Sequence, residues 1–113
     1  MKFLATISAA LVALTVAASA SAAIDVKAAK KIYKSPKNNC YKCHSLTKEK
    51  DGPSYHKVAE KYKGNPDAVE KLIHHITSGE MAKFPDGHKE KHKIVHEKDP
   101  EQLKNLVEWI LSQ

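Results

Sequence analysis

Apolar positions along most of the chain recur three and four residues apart, and no stretch alternates with the two-residue period of a strand, so the pattern predicts an all-α domain. Val26, Ala29, Ile32 and Tyr33 mark one face of a first helix that opens on Asp25 as N-cap and runs to about Lys34. Pro36 and Asn38-Asn39 stop it. Tyr55, Val58, Ala59 and Tyr62 share a face of a short second helix, broken by Lys63-Gly64. Asn65-Pro66 then reads as the N-cap and first helical position of a third, which buries Val69, Leu72, Ile73 and Ile76 and ends at Gly79. Residues 80–98 read as a loop of roughly twenty residues, a length that usually serves a function in a small domain. Asp99-Pro100-Glu101-Gln102 supplies a cap, a proline and a capping-box glutamine for the last helix, whose apolar face is Leu103, Leu106, Val107, Ile110 and Leu111, with Trp109 beside it.

The N-terminus follows another pattern. Met1-Lys2 is a short positive start, residues 3–18 carry no charge, and residues 19–23 are small. That order is expected of a secretory leader, and the apolar run falls short of the ~20 residues a spanning helix needs. The expected cut follows Ala20-Ser21-Ala22, with cuts after Ala20 or Ala23 as neighbours. It leaves residues 23–113 as one small exported domain with no membrane span and a thin core, the kind that a disulfide, metal or cofactor often stabilises.

Charge narrows the partners. The chain has 19 basic residues, 13 acidic residues and a formal net charge of +6, and every cation is a lysine. Removal of Lys2 with the leader takes the net charge to +5. Readers of nucleic acid usually rely on arginine forks, and none exist here. The lysines point instead to solubility and to soft docking on acidic proteins.

An exported chain with only two cysteines invites a disulfide, but Cys40 and Cys43 are two residues apart and followed at once by His44. Cys40-Tyr41-Lys42-Cys43-His44 is the C-x-x-C-H pattern for covalent haem attachment. Two thiols one helical turn apart can each form a thioether on one porphyrin edge, with the adjacent imidazole beneath the iron. Three other readings compete. A plain disulfide leaves His44 incidental. A thioredoxin-type pair expects a strand-to-helix context, which the helical pattern lacks. A zinc set of Cys40, Cys43, His88 and His92 needs a cysteine-to-histidine gap far longer than the ~12–15 residues of a zinc finger.

With this motif after an N-terminal helix, Gly52-Pro53 downstream and a last helix ending Leu106-Val107-Glu108-Trp109-Ile110-Leu111-Ser112-Gln113, the chain resembles the small bacterial class I cytochromes c over essentially all of residues 23–113. The resemblance implies four or so short helices around one covalent haem c, a periplasmic location and one-electron transfer rather than enzymatic catalysis. It implies that the first and last helices cross, with Tyr33 against the Leu106/Trp109 region. It also implies that the Pro53 carbonyl accepts a hydrogen bond from Nδ1 of His44 and so fixes the tautomer of the proximal iron ligand.

The chain departs from that family at the sixth ligand, commonly a methionine before the last helix. Met81 is the only methionine after the leader, and it lies two residues past Gly79, a reach of only about 7 Å. The loop offers His88, His92 and His96 instead, and neutral imidazole binds iron well. His92 precedes Asp99 by seven residues and is the leading candidate. His88, eleven before Asp99 but closer to Gly79, is the alternative, with Met81, His96 and an open site behind. His56, His74 and His75 receive no role. Lys37, Lys42, Lys48 and Lys50, near the attachment motif, are expected to steer a haem edge toward acidic redox partners in transient complexes of a monomer. The rival function is a haem peroxidase or gas-binding protein with a displaceable distal ligand.

Overall fold

The helical period carries through into the computed structural model, which describes residues 23–113. The expected leader, with Ala20, Ser21 and Ala22, lies outside the described residues. Helix α1 (Val26–Tyr33) is capped by Asp25, whose side chain accepts from the Ala28 amide at 2.9 Å. A four-residue helix α2 (Cys40–Cys43) follows, then α3 (Tyr55–Tyr62), α4 (Ala68–Ser78) and α5 (Pro100–Leu111). Among the described residues no helix is long and apolar enough to cross a membrane.

The core forms where α1, α3 and α4 pack on α5. Leu106 and Val107 are fully buried, and Leu103, Trp109 and Ile110 join them against Ala29, Ile32, Leu72 and Ile76. Each buried leucine, isoleucine or valine among them contributes about 1.5–3 kcal/mol. Tyr33 meets Trp109 with ring centroids 5.5 Å apart, so the first and last helices cross on an aromatic contact as the sequence suggests. A reciprocal pair ties the same two helices at one end: Asp25 N–H donates to Asn105 Oδ1, and Asn105 Nδ2 donates to the Asp25 carbonyl, both at 2.8 Å.

Three expectations need correction. Helix α4 begins at Ala68 rather than Pro66, because Asn65 first caps a turn, accepting from the Asp67 amide at 2.9 Å. At α5 the capping box is replaced. Asp99 still caps the helix, accepting from the Glu101 amide at 3.0 Å, but Glu97 rather than Gln102 takes the Asp99 N–H, also at 3.0 Å. The long loop is not structureless either. Strands β1 (Met81–Lys83) and β2 (Lys89–Lys91) pair antiparallel, Ala82 opposite Glu90, beside the five helices. Lys83 faces Lys89 across the ribbon, an unfavourable pairing, so side chains do not drive it. The turn does: Phe84 N–H donates to the His88 carbonyl at 2.8 Å, and Gly87 takes φ 94°, where glycine suffers no Cβ clash.

Candidate haem site

Asn39 adopts a left-handed φ of 55° and turns the chain into α2, so that Cys40 and Cys43 stand one turn apart. Their sulfurs are free, and the disulfide reading is not realised. His44 closes the turn, its amide donating to the Cys40 carbonyl at 2.9 Å. Burial pushes the Cys40 thiol above its ordinary range.

Four contacts hold the His44 segment. The Pro53 carbonyl lies 2.7 Å from Nδ1, which therefore carries the proton and leaves Nε2 as the free lone pair. The Tyr33 hydroxyl donates to the His44 carbonyl at 2.6 Å. Tyr55 stacks on the imidazole, centroids 5.1 Å apart at 25°. Gly52 closes the remaining side: a Cβ there would sit 2.6 Å from His44 Cε1 and 3.2 Å from the Cys43 carbonyl. Gly52→Ala is therefore expected to lower stability by about 1–3 kcal/mol through overpacking and to displace the ring. A thermal melt of the purified protein checks the first, and an unchanged melting temperature would contradict it.

His92 faces this assembly. Its ring centroid is 6.2 Å from that of His44, and its Nδ1 donates to the Lys93 carbonyl at 2.8 Å, again leaving Nε2 free. Burial lowers the pKa of both imidazoles, helped at His92 and at His44 by the nearby His75, and opposed at His44 by the Pro53 hydrogen bond. Neutral imidazole is the form that binds metal. Two imidazoles on opposite sides of one metal ion, each nitrogen about 2 Å from it, place their ring centres about 6 Å apart. The 6.2 Å spacing suits such an ion, which His44 and His92 would hold, with Cys40 and Cys43 one turn away to take a porphyrin edge.

The other candidates lie elsewhere. His88 sits in the hairpin turn, half exposed, hydrogen-bonded to Asp86 and stacked on Phe84. A cleft of about 260 Å³ lies between Cys43 and Lys50 on one side and Phe84 and His88 on the other. His96 is exposed and engaged through its backbone, and Met81 is 58% exposed on β1. Among the described residues no three Cys, His, Asp or Glu side chains group to hold a metal ion, so the zinc set does not form. A larger groove of about 440 Å³ runs past Tyr62, Val69 and Leu111 and includes none of the motif residues.

The family model described as cytochrome c matches residues 26–113. The chain belongs to the cytochrome c family.

It is 32% identical to cytochrome c-551 of Pseudomonas denitrificans over 73 residues, 65% of this chain and 84% of that one. It is 37% identical to cytochrome c-552 of Hydrogenobacter thermophilus over 73 residues, 65% and 70% of the two chains. Among solved structures, the class 1 cytochrome MtoD of Sideroxydans lithotrophicus is 64% identical with TM-score 0.73, covering 80% of this chain and 97% of that one. Cytochrome c552 of Nitrosomonas europaea is 30% identical with TM-score 0.57, covering 78% and 98%. The cytochrome is thus an electron-transfer protein with covalent haem c as its cofactor, and Cys40, Cys43 and His44 fit the attachment motif.

Three side chains of this cytochrome escaped the sequence reading. His75 packs against His92, centroids 4.5 Å apart, and its Nδ1 meets Glu80 at 2.7 Å, which holds the Glu80 carboxyl below its usual range. The chain pattern marks His75 only as a neighbour of the buried Ile76. Asn38 reads as a helix stop, yet it is a buried amide. Lys93 reaches back to Asn39, with the Asn39 amide oriented so that its oxygen accepts from Nζ at 2.8 Å.

Proposed function

We propose that this cytochrome is a periplasmic shuttle carrying single electrons on one haem c, joined through thioethers to Cys40 and Cys43 and ligated by His44 and His92. The observation that carries the reading is the facing pair of half-buried imidazoles, with ring centroids 6.2 Å apart and each Nδ1 held by a carbonyl. The haem supplies a one-electron iron couple. The chain does the rest. Pro53 makes His44 a stronger donor by holding its N–H, and the Lys93 carbonyl does the same for His92. His44 and His92 would both hold the iron and would leave a substrate no position on it, which favours a carrier over an enzyme. The peroxidase or gas-binding alternative requires His92 to leave, and the matched cytochromes c-551 and c-552 lend it no support.

Lys37, Lys42, Lys48 and Lys50 are all exposed, and Lys50 Nζ donates to the Tyr41 carbonyl at 2.9 Å, so positive charge sits on the attachment helix itself. Acidic donor and acceptor proteins are the partners such a surface suits, in brief complexes of the monomer. Their encounter rate with this cytochrome should fall as salt rises.

Protein matured in a haem-attaching host tests the reading. Colour that stays with the polypeptide in acid-acetone, no methionine-to-iron charge-transfer band, and resistance of the reduced form to carbon monoxide are expected. Complete loss of colour would defeat the attachment, and ready carbon monoxide binding would defeat the double histidine ligation.

A further inference from the structure

We infer that Asn38 is a positioning residue for the distal histidine, clamping the segment that carries His92 to the segment that carries Cys40 and His44. This rests on the reading of His92 as an iron ligand.

Asn38 lies outside any helix, two residues before Cys40, and is only 7% exposed. A buried amide left unmatched is costly, and both ends of this one are matched. Nδ2 donates to the Ile32 carbonyl in the last turn of α1 at 3.1 Å. Oδ1 accepts the His96 N–H at 2.8 Å, a bond between residues 58 apart in the chain.

Consider what else fixes residues 92–96. His92 N–H donates to the Glu80 carbonyl and Val95 N–H to the Ile76 carbonyl, both at 2.9 Å. Those two bonds tie the segment to the end of α4 and to the second residue past it, and neither reaches the proximal side. Asn38, seconded by Asn39 on Lys93, links the distal segment to the chain leading into the attachment motif. The separation of the two imidazoles depends on how those two segments sit against each other. An iron ligand tolerates little error in that distance, so the clamp sets how firmly His92 holds its place.

The test uses the haem-loaded protein, reduced, titrated with carbon monoxide. Asn38→Leu has a similar volume, removes both bonds and orphans the His96 N–H. It is expected to raise carbon monoxide affinity about tenfold or more. Asn38→Ser, too short to span both partners, carries the same expectation where the leucine variant does not accumulate. Asn38→Asp keeps an acceptor facing His96 while losing the amide donor to Ile32, and is expected to stay within about twofold of the wild type. A role confined to supporting the end of α1 predicts the opposite, with aspartate opening the iron as far as leucine or serine, and that result would overturn the clamp. So would leucine and serine variants that melt at lower temperature with unchanged carbon monoxide affinity. His92→Ala is measured alongside. If it fails to open the iron, the ligand reading is wrong; if it opens the iron and the Asn38 variants do not, only the clamp is.

Discussion

Replacing His92 by alanine should turn a reduced cytochrome that resists carbon monoxide into one that binds it stoichiometrically, with the haem still attached. His88→Ala should leave the iron closed, since His88 is occupied with Asp86 on the half-exposed hairpin turn. His92→Met makes the complementary case. Methionine is a weaker donor than imidazole and favours the reduced iron, so the potential should rise. The expected shift is on the order of 0.1 V, a modest part of the ~0.8 V that axial ligands span. By the same argument the natural protein should lie below methionine-ligated relatives of similar haem exposure. An alanine variant that stays closed, or a potential unmoved by methionine, would remove His92 from the iron.

The second large effect belongs to the crossing of α1 and α5. Trp109 is 2% exposed and meets both Tyr33 and Tyr55, at 5.5 and 5.9 Å between centroids. Tyr55 in turn stacks on His44, so the cavity left by Trp109→Ala opens one layer behind the proximal ligand. Truncations of this kind cost about 3–5 kcal/mol. In a domain of this size that is a fall in melting temperature of at least about 12 °C, read by far-ultraviolet circular dichroism. A fall of only a few degrees would mean that the aromatic layer collapses into the gap and that the crossing is less rigid than it looks.

What was legible in the chain was local. The faces of α1, α3, α4 and α5 follow from a 3.6-residue period, and that period is a property of consecutive residues. The attachment motif was legible for the same reason, since five adjacent residues hold both thiols and an imidazole in one turn. The Pro53 contact with His44, nine residues away, was implied by the family resemblance and stands at 2.7 Å. The hairpin escaped because three-residue strands carry too little pattern, and Pro85-Asp86-Gly87 looks alike whether it ends a loop or turns a ribbon. Gln102 looked like a capping partner by position, but Glu97 on the other side of Asp99 took the amide. Gly52 enters the sequence only as the neighbour of Pro53 in the family resemblance, whereas its work is to leave room for an imidazole.

From its sequence alone this chain is a helical domain with two thiols and one imidazole in a single turn, because neighbours along the backbone need no fold to be neighbours. Which of His88, His92 and His96 meets His44 is another matter, since all three sit within a few residues of one another and loop reach cannot choose between them. Backbone bonds from Glu80 and Ile76, and a side-chain amide from Asn38, make that choice. Those partners are brought up by separate helices and turns, and only their packing on α5 puts them within hydrogen-bonding distance.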